Sequence, residues 1–275
     1  MFTSDENNAY AILPVSYAGK VSFGKGSEKG PAAILEACHQ LEYFDIFTRT
    51  RPVDKGITLC DEITAKNDEE IAELVETTIQ DTTAFTILLG GDHSTSIGAV
   101  KAFNKKYDNI SVLQLDAHPD LFYSWNGSQY NHRCFGWHAS QTKALVQVGI
   151  RAIDEDELEY VQETPNVTQI FAHEYTNNED ILNQLTENVY ISIDIDVFDP
   201  SFMRHTGTPE PGGLQWNQVL GLLQEIFANR NIVGCDIVEF APLGNPEEWR
   251  LEAYALAKLM YTLFGLKEKQ TIKED

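Results

Sequence analysis

The sequence predicts an α/β fold with three layers (α/β/α), in which helices cover both faces of a central, mostly parallel sheet. Short apolar runs alternate along the chain with segments whose apolar residues recur at helical spacing. Several of these runs are hydrophobic at nearly every position, which is typical of strands buried on both faces of a parallel sheet. Neither a repeat nor a linker-like change of composition interrupts the 275 residues. We therefore expect residues 1–275 to form a single domain.

Seven apolar segments are predicted to be strands. In chain order they are residues 9–15, 84–89, 110–115, 145–150, 167–171, 189–194 and 232–238. Parallel strands are joined by right-handed helical crossovers, so their carboxyl ends lie along one edge of the sheet. Open α/β sheets bind ligands beyond that edge. Polar residues that directly follow a strand are therefore candidates for a site.

Helices are predicted where the apolar residues fall on one face. They span residues 31–41, 68–82, 95–107, about 154–162, about 178–187, 216–229 and 246–266. Pro31 stands in the first turn of the first helix, where its missing N–H is tolerated. Ser94 is expected to cap the helix at residues 95–107. Residues 267–275 are predicted to be a solvated tail.

Two long segments are predicted to be shaped loops. Residues 121–140 are rich in aromatic residues and glycine and are too long for an ordinary connection. Residues 198–214 are rich in proline and glycine. We expect the first of these loops to form a wall of a substrate site.

The glycine-rich segment at residues 16–30 permits two interpretations. Gly19, Gly24 and Lys25 nearly have the spacing of a phosphate-binding loop, but Gly26 stands where that loop needs a hydroxyl group for magnesium. We expect a mobile wall over an active site, with nucleotide phosphate binding as the alternative.

The composition excludes several classes of partner. Lys and Arg number 20 against 42 Asp and Glu, for a net charge of -22, which argues against binding nucleic acid through its phosphates. No segment approaches the ~20 apolar residues of a membrane span, and residues 1–8 lack the layout of a secretory signal. The four cysteines form no C-x-x-C pair. These features predict a cytoplasmic protein with reduced thiols and no membrane partner.

Potential metal ligands follow three of the predicted strands. They are His93, Asp116, His118, Asp120, Asp194 and Asp196. Asp116, His118 and Asp120 occupy alternate positions, so in an extended backbone they point to one side. Buried carboxylates are costly without a partner, and a divalent cation is the simplest one. Four carboxylates and two imidazoles, with no thiolate, favour Mn²⁺ over a structural Zn²⁺.

Three motifs closely resemble the signatures of the ureohydrolase family, the arginases and agmatinases. They are Gly91-Asp92-His93-Ser94, Asp116-Ala117-His118-Pro119-Asp120 and the segment at residues 192–200. The resemblance covers most of the chain. It implies an arginase-like domain with two Mn²⁺ ions per chain, for which Co²⁺ or Ni²⁺ could substitute. It also implies a homo-oligomer, a trimer or a hexamer, and a small guanidino substrate.

The resemblance also assigns roles to individual residues. It implies that His93 and Asp120 bind one ion, that His118 and Asp196 bind the other, and that Asp116 and Asp194 bridge the two. It further implies that His132 shuttles a proton and that Glu239 binds the guanidinium. A carboxylate is suited to that role because it can pair with a planar guanidinium through two parallel hydrogen bonds.

Within the family, residues 126–132 and 207–214 look most like those of archaeal and bacterial agmatinases. Agmatine, hydrolysed to urea and putrescine, is therefore the first substrate expected. The chain departs from that pattern at residues 122–125, at Arg133 and at Arg204-His205, all in the expected walls. Because an arginine there could bind a carboxylate, arginase or another guanidino-acid or formimino hydrolase is the alternative.

Two further interpretations place the chain in different functional classes. One is a metal-dependent amide deacetylase, although the paired bridging acids and Glu239 count against it. The second is a non-catalytic family member. Asp92 and Asp199 either cap turns or orient a ligand histidine. The aromatic residues at 122–125 serve either in packing or as a wall for the substrate arm.

Overall fold

The computed structural model describes residues 1–2, 7–20 and 23–274, with side chains up to residue 270. Residues 21 and 22 of the glycine-rich segment and residue 275 of the predicted tail lie outside this description. The strands are β1 (Tyr10–Val15), β2 (Ile57–Leu59), β3 (Phe85–Gly90), β4 (Ile110–Leu115), β5 (Ala144–Ile150), β6 (Val167–Phe171), β7 (Asn188–Asp194) and β8 (Asn231–Val238). They form one eight-stranded sheet in the order β2-β1-β3-β8-β7-β4-β5-β6.

All strand pairs of this sheet are parallel. The predicted three-layer α/β/α class is therefore confirmed, and the mostly parallel sheet is parallel throughout its described strands. Sequence order is broken between β3 and β4, because β8 and β7 are inserted between them. A break of this kind marks the place where open α/β sheets bind ligands, outside the carboxyl ends of the strands.

Eight helices cover the sheet within the described residues. They are α1 (Gly30–Ala37), α2 (Asp68–Asp81), α3 (Ile97–Lys106), α4 (Phe135–Ser140), α5 (Glu155–Glu163), α6 (Glu179–Gln184), α7 (Trp216–Asn229) and α8 (Pro246–Glu274). Helices α1, α6, α7 and α8 pack on one face, and α2, α3, α4 and part of α5 pack on the other. None of the described helices combines the length and apolar composition that a membrane crossing needs.

Each central strand contributes alternate side chains to the two faces. Ile87 of β3 packs with the first group of helices, and its neighbour Leu88 packs with the second. Both are buried, and burying a side chain of this size contributes roughly 1.5–3 kcal/mol. Burial on both faces explains why these strands are apolar at nearly every position.

The expected loop at residues 121–140 is partly helical. A 3-10 turn at His132–Cys134 continues into α4, whose Phe135 is fully buried. The turn begins where the side chain of Asn131 accepts a hydrogen bond from the N–H of Arg133 at 3.2 Å. Strand β2 was not expected from the sequence, because three residues are too short to show an alternating pattern.

The predicted solvated tail is wrong for residues 267–270. Helix α8 continues through them, and Gln270 is buried. Its Nε2 donates to the carbonyl of Phe227 at 2.9 Å, and its Oε1 accepts from the N–H of Ile232 at 3.2 Å. Lys267 donates to the carbonyl of Ile232 at 2.9 Å. These polar side chains make hydrogen bonds to backbone groups around the start of β8. They are therefore packed against the fold, although their polarity is typical of a solvated tail.

The expected cap at Ser94 is also wrong. A 3-10 turn at His93–Ser96 precedes α3, and Asp92 caps that turn. Its Oδ1 accepts from the N–H of Ser94 at 3.1 Å, and its Oδ2 accepts from the N–H of Gly19 at 2.6 Å. Of the two roles considered for Asp92, the structure supports the cap.

Asp199 likewise shapes a loop. Its Oδ1 accepts from the N–H of Ser201 at 3.0 Å, and its Oδ2 accepts from those of Gly212 at 2.8 Å and Gly213 at 3.2 Å. The hydrogen bonds from Ser201, followed by those from the two glycines, lower the pKa of Asp199 to about 2. The carboxylate therefore ties together the two ends of the loop at residues 198–214.

We expect Asp199→Asn to destabilise the chain near neutral pH and to have little effect in acid. The folded pKa lies below the unfolded value of about 3.9, so the ionised side chain stabilises the fold above that value. This contribution is lost as pH falls from about 4 through 2, and solvent screening keeps it below roughly 1 kcal/mol. Urea unfolding of wild type and variant at pH 6 and near pH 2.5 measures it. A difference in stability that is the same at both pH values would contradict the assignment.

Candidate active site

The candidate ligands gather beyond the carboxyl ends of four adjacent strands, β3, β8, β7 and β4. His93 follows β3, Asp116 follows β4, Asp194 ends β7 and Glu239 follows β8. The break in strand order lies among these four strands. The sheet topology therefore brings together residues that are up to 146 positions apart, such as His93 and Glu239.

Two groups of ligand-type atoms share Asp116. In the first, Nδ1 of His93 lies 3.2 Å from Oδ2 of Asp116, 3.3 Å from Oδ2 of Asp120 and 3.5 Å from Oδ2 of Asp194. In the second, Nδ1 of His118 lies 2.9 Å from Oδ2 of Asp196 and 3.8 Å from Oδ1 of Asp116. His93, Asp116 and Asp194 have the spacing that could hold one metal ion, and Asp116, His118 and Asp196 have the spacing that could hold another.

Hydrogen bonds fix the proton on the His93 ring. Nε2 of His93 lies 2.8 Å from Oγ of Ser192, and that hydroxyl donates to Oδ1 of Asp236 at 2.8 Å. Because the single hydroxyl proton of Ser192 points at Asp236, the serine oxygen must accept from N–H at Nε2. The ring also stacks on Phe135 with centroids 3.9 Å apart. Nδ1 is therefore the nitrogen left to face the carboxylates, as in a metal-ligating histidine.

The site fits a divalent cation. Nδ1 of His93 is buried, and none of the three nearby carboxylate oxygens meets it in hydrogen-bonding geometry. A ring nitrogen among three carboxylate oxygens is favourable only with a positive charge between them, which either a proton or a cation can supply. Oxygen and imidazole donors without thiolate suit Mn²⁺ and similar ions.

The protonation behaviour of the cluster reflects the crowding of its charges. Burial alone lowers the pKa of His93, but Asp116, Asp120 and Asp194 outweigh it and hold that pKa well above its usual value. Burial, followed by the charge of Asp196, raises the pKa of Asp116 to about 7. The same two causes hold the pKa of Asp194 well above its usual range. The crowded carboxylates therefore attract positive charge, whether a proton or a cation.

The second group behaves in the same way. Burial lowers the pKa of His118, but the adjacent Asp196 outweighs it and raises that pKa to about 10. Burial raises the pKa of Asp196, and the charge of His118 reverses the shift and lowers it. A cation at this place would displace the proton of His118, so cation binding and proton release are coupled.

Glu239 is held at the rim by its backbone and by one carboxylate oxygen. Its φ of 67° lies in the left-handed region, which is unfavourable for a residue with a side chain. Its N–H donates to the carbonyl of Gly91 at 2.7 Å, and its Oε1 accepts from the N–H of His93 at 2.9 Å. Burial and the charge of Asp92 hold the pKa of Glu239 well above its usual value. Asp120 has a similar φ of 52°. Such backbone strain is concentrated at functional sites.

A cavity of about 320 Å³ opens above the cluster. Its floor and sides include His118, Asp120, His132, Asp194, Asp196 and Glu239. Gly207 and Phe23 bound it on other sides, and the side chain of Phe23 is 80% exposed. His132, whose role the resemblance implied, therefore lies in the same cavity as four of the candidate ligands and Glu239.

Arg133 forms one wall of this cavity, but its guanidinium is already engaged. Nη2 of Arg133 lies 2.6 Å from Oδ2 of Asp154 and 3.8 Å from Oε2 of the buried Glu157. The guanidinium carbon also lies 4.5 Å from the ring centre of Phe122 and 4.1 Å from that of Trp125. The aromatic residues considered as packing or as a substrate wall thus hold this arginine in place.

Arg204, the other departure noted in the sequence, is outside the cavity wall. Its side chain is 61% exposed and lies 3.5 Å from Oε1 of Glu252. The same oxygen lies 2.9 Å from Nδ1 of His205, and Glu252 is fully buried on α8. The pair formed by His205 and Glu252 fixes the chain just before Thr206, which lines the cavity.

Arg151 was not singled out in the sequence as a site residue. Its Nη2 donates to the carbonyl of Asp196 at 2.6 Å and to that of Glu210 at 2.7 Å, and its Nε donates to the carbonyl of Pro211 at 3.2 Å. Arg151 therefore joins a candidate ligand segment to the proline-rich loop. A charged residue directly after the buried strand β5 was the signal that could have identified it.

The phosphate-binding alternative receives no support. Residues 16–20 line a separate open cavity of about 880 Å³, together with Glu28, Asp68 and Glu69. The N–H of Gly19 is bound to Asp92, so it does not point toward a ligand. Carboxylates along the same cavity would repel a phosphate.

Comparisons with known proteins agree with this geometry. The model of the Arginase family matches residues 8–265. An N(1)-aminopropylagmatine ureohydrolase of Thermus thermophilus is 37% identical, over 98% of this chain and 93% of its own length. An agmatinase of Pyrococcus horikoshii is 30% identical, over 94% and 92%. The solved agmatine ureohydrolase of Thermoplasma volcanium superimposes with a TM-score of 0.88 at 26% identity, covering 98% of this chain and 92% of that one.

Proposed function

Because the chain belongs to the arginase family and is a hydrolase of guanidino compounds, we propose that its substrate is a guanidinoalkylamine, agmatine first, cleaved to urea and an amine. The observation that carries this proposal is the cavity itself, in which Glu239 and His132 lie over two ligand groups that share Asp116. The resemblance of residues 126–132 and 207–214 to agmatinases supports the choice of substrate.

The proposed cofactor is a pair of Mn²⁺ ions, with Co²⁺ or Ni²⁺ as substitutes. In this proposal His93 and Asp120 would hold one ion, and His118 and Asp196 would hold the other. Asp116 and Asp194 would serve both. The shared position of Asp116 in both groups and the oxygen-rich donor set support this assignment. When bound, such a pair supplies the positive charge that makes water acidic enough to attack near neutral pH.

The side chains of the cavity then have separate tasks. Glu239 holds the planar guanidinium through two parallel hydrogen bonds and so orients its carbon toward the cluster. His132 gives a proton to the departing amine nitrogen as a general acid. Phe23 and Arg133 bound the cavity on other sides.

The charges of the cavity favour a substrate with a cationic arm. Among the described residues, Arg133 is the one cation with an always-charged side chain that lines it, and that guanidinium is paired with Asp154. Asp154 and Glu239, which are not among the proposed metal ligands, line the same cavity. The carboxylate of arginine would meet like charges there, whereas the ammonium group of agmatine would be attracted. The relatives named N(1)-aminopropylagmatine ureohydrolase suggest a longer polyamine arm as the second substrate to examine.

Urea release from a panel of substrates tests the proposal. We expect the Mn²⁺-loaded chain to hydrolyse agmatine or N(1)-aminopropylagmatine with a kcat/KM at least ~100-fold above that for arginine or guanidinobutyrate. The reason is that repulsion of the substrate carboxylate is expected to cost about 3 kcal/mol. Urea and, for formiminoglutamate, formamide are measured over time.

Two results would contradict this. A preference for arginine or a guanidino acid would show that the walls accept a carboxylate and would overturn the cationic-arm assignment. Absence of urea or formamide from every substrate, with two ions bound, would favour a non-catalytic member of the family.

A further inference from the structure

Three glutamine side chains form a hydrogen-bonded row that crosses three strands and ends at Asp116. Gln114 on β4, Gln147 on β5 and Gln169 on β6 are register partners. Nε2 of Gln169 donates to Oε1 of Gln147 at 2.8 Å, and Nε2 of Gln147 donates to Oε1 of Gln114 at 2.7 Å. Nε2 of Gln114 donates to Oδ2 of Asp116 at 2.8 Å. We call these three residues the glutamine row.

The acceptors at the end of the row fix its direction. Nε2 of Gln114 also donates to the carbonyl of His118 at 3.2 Å, and Nε2 of Gln147 also donates to the carbonyl of Pro119 at 2.7 Å. Carbonyl and ionised carboxylate oxygens only accept hydrogen bonds. If the side-chain amide of Gln114 or Gln147 were flipped, its oxygen would face the carbonyl oxygen of His118 or Pro119, and neither oxygen could donate. Both amides must therefore point their N–H groups toward Asp116 and the segment that follows it.

The two inner residues of the row, Gln114 and Gln147, are buried within the sheet, and Gln169 is half-buried. Gln114 and Gln147 are fully buried between apolar neighbours such as Leu113 and Val148. A buried amide is unfavourable unless its hydrogen bonds are made, and apolar residues would fill the same space without that requirement. Aligned hydrogen bonds strengthen one another and make a network rigid. A rigid row that ends on a candidate metal ligand points to a role at the site.

We propose that the glutamine row positions Asp116, the carboxylate shared by both ligand groups, and that Gln114 is the positioning residue in contact with it. This inference rests on the proposed function, because it takes Asp116 to be a ligand of both ions. Gln114 holds Oδ2 of Asp116, and the N–H of His118 holds Oδ1 at 2.6 Å. Both oxygens are thus fixed before a cation binds, which removes the cost of ordering them at that step.

The test is the Mn²⁺ affinity of the full chain, measured by chelator competition and by calorimetry. Gln114→Met roughly keeps the side-chain volume and removes the donor to Asp116. We expect its Mn²⁺ affinity to fall about 10- to 100-fold, the usual effect of losing support for a metal ligand, with both ions affected. Excess Mn²⁺ restores kcat, and KM for agmatine stays within about threefold of wild type.

Two further variants separate positioning from general packing. Gln147→Met leaves Gln114 in place but removes the donor to its Oε1, so we expect a smaller loss of affinity, about three- to tenfold. If Gln114→Met does not fold, the Mn²⁺ affinity of Gln147→Met tests the inference. Gln270→Met is the matched control, because it removes another buried glutamine with backbone partners, at the opposite end of the sheet. We expect it to lower the unfolding midpoint and leave Mn²⁺ affinity unchanged.

Equal Mn²⁺ affinity in wild type, Gln114→Met and Gln147→Met would overturn the inference and leave the proposed function standing. An equal loss of Mn²⁺ affinity in Gln270→Met would also overturn it, because the loss would then follow from lower stability of the fold and not from the position of Asp116. A folded wild-type chain that binds no ion would contradict the proposed function and this inference together.

Discussion

Replacing Asp116 with asparagine is expected to lower kcat/KM by roughly a thousandfold or more, equivalent to about 4 kcal/mol of transition-state stabilisation. Asp116 is the residue common to both ligand groups. An amide is nearly isosteric but neutral, so it cannot balance the charge of two cations, and it presents an N–H group where an acceptor is needed. We expect the number of Mn²⁺ ions retained per chain to fall at the same time.

Asp108→Asn is the matched control for this experiment. Asp108 is exposed and precedes β4, whereas Asp116 follows the same strand. We expect the control to keep both its ions and its activity. If Asp116→Asn retained two ions and activity within about tenfold of wild type, Asp116 would not be a bridging ligand.

The second large effect is expected for Glu239→Gln. Loss of one partner of a buried charged hydrogen-bonded pair costs about 2–5 kcal/mol, which corresponds to roughly a 30- to several-thousandfold fall in kcat/KM. The amide keeps the shape of the side chain but pairs poorly with a guanidinium. Because Glu239 is not in either ligand group, we expect the variant to retain both ions.

Steady-state kinetics and metal analysis on the same preparation separate the two roles. Glu247→Gln, on an exposed turn of α8, is the control and is expected to behave as wild type. Loss of ions from Glu239→Gln would show that Glu239 serves the metal site. Unchanged kcat/KM for agmatine would show that the guanidinium binds elsewhere.

The fold could be predicted because the features that determine it are local. Strands buried on both faces must be apolar at nearly every position, and helices between them must be apolar on one face. Parallel connectivity then places the residues after β3, β4, β7 and β8 at one edge. For the same reason the candidate ligands could be selected from the sequence, since two of the three motifs directly follow a buried strand and the third spans the end of one.

What could not be predicted depends on partners that are distant in sequence. From the sequence, Arg133 could have donated hydrogen bonds to a substrate carboxylate. Its contacts with Asp154, Phe122 and Trp125 show that its charge is already engaged. Gln270 resembles a surface residue until it is placed against the start of β8. The direction of the glutamine row depends on register between strands, which the sequence alone does not specify.

The most direct test of the central claim is to count metal ions on the purified chain after loading with Mn²⁺ and desalting, by elemental analysis against protein concentration. The two ligand groups that share Asp116 predict two ions per chain, and anomalous diffraction is expected to place both within reach of that carboxylate. A folded chain that retains fewer than two ions, or that binds them away from His93 and His118, would contradict the proposed function.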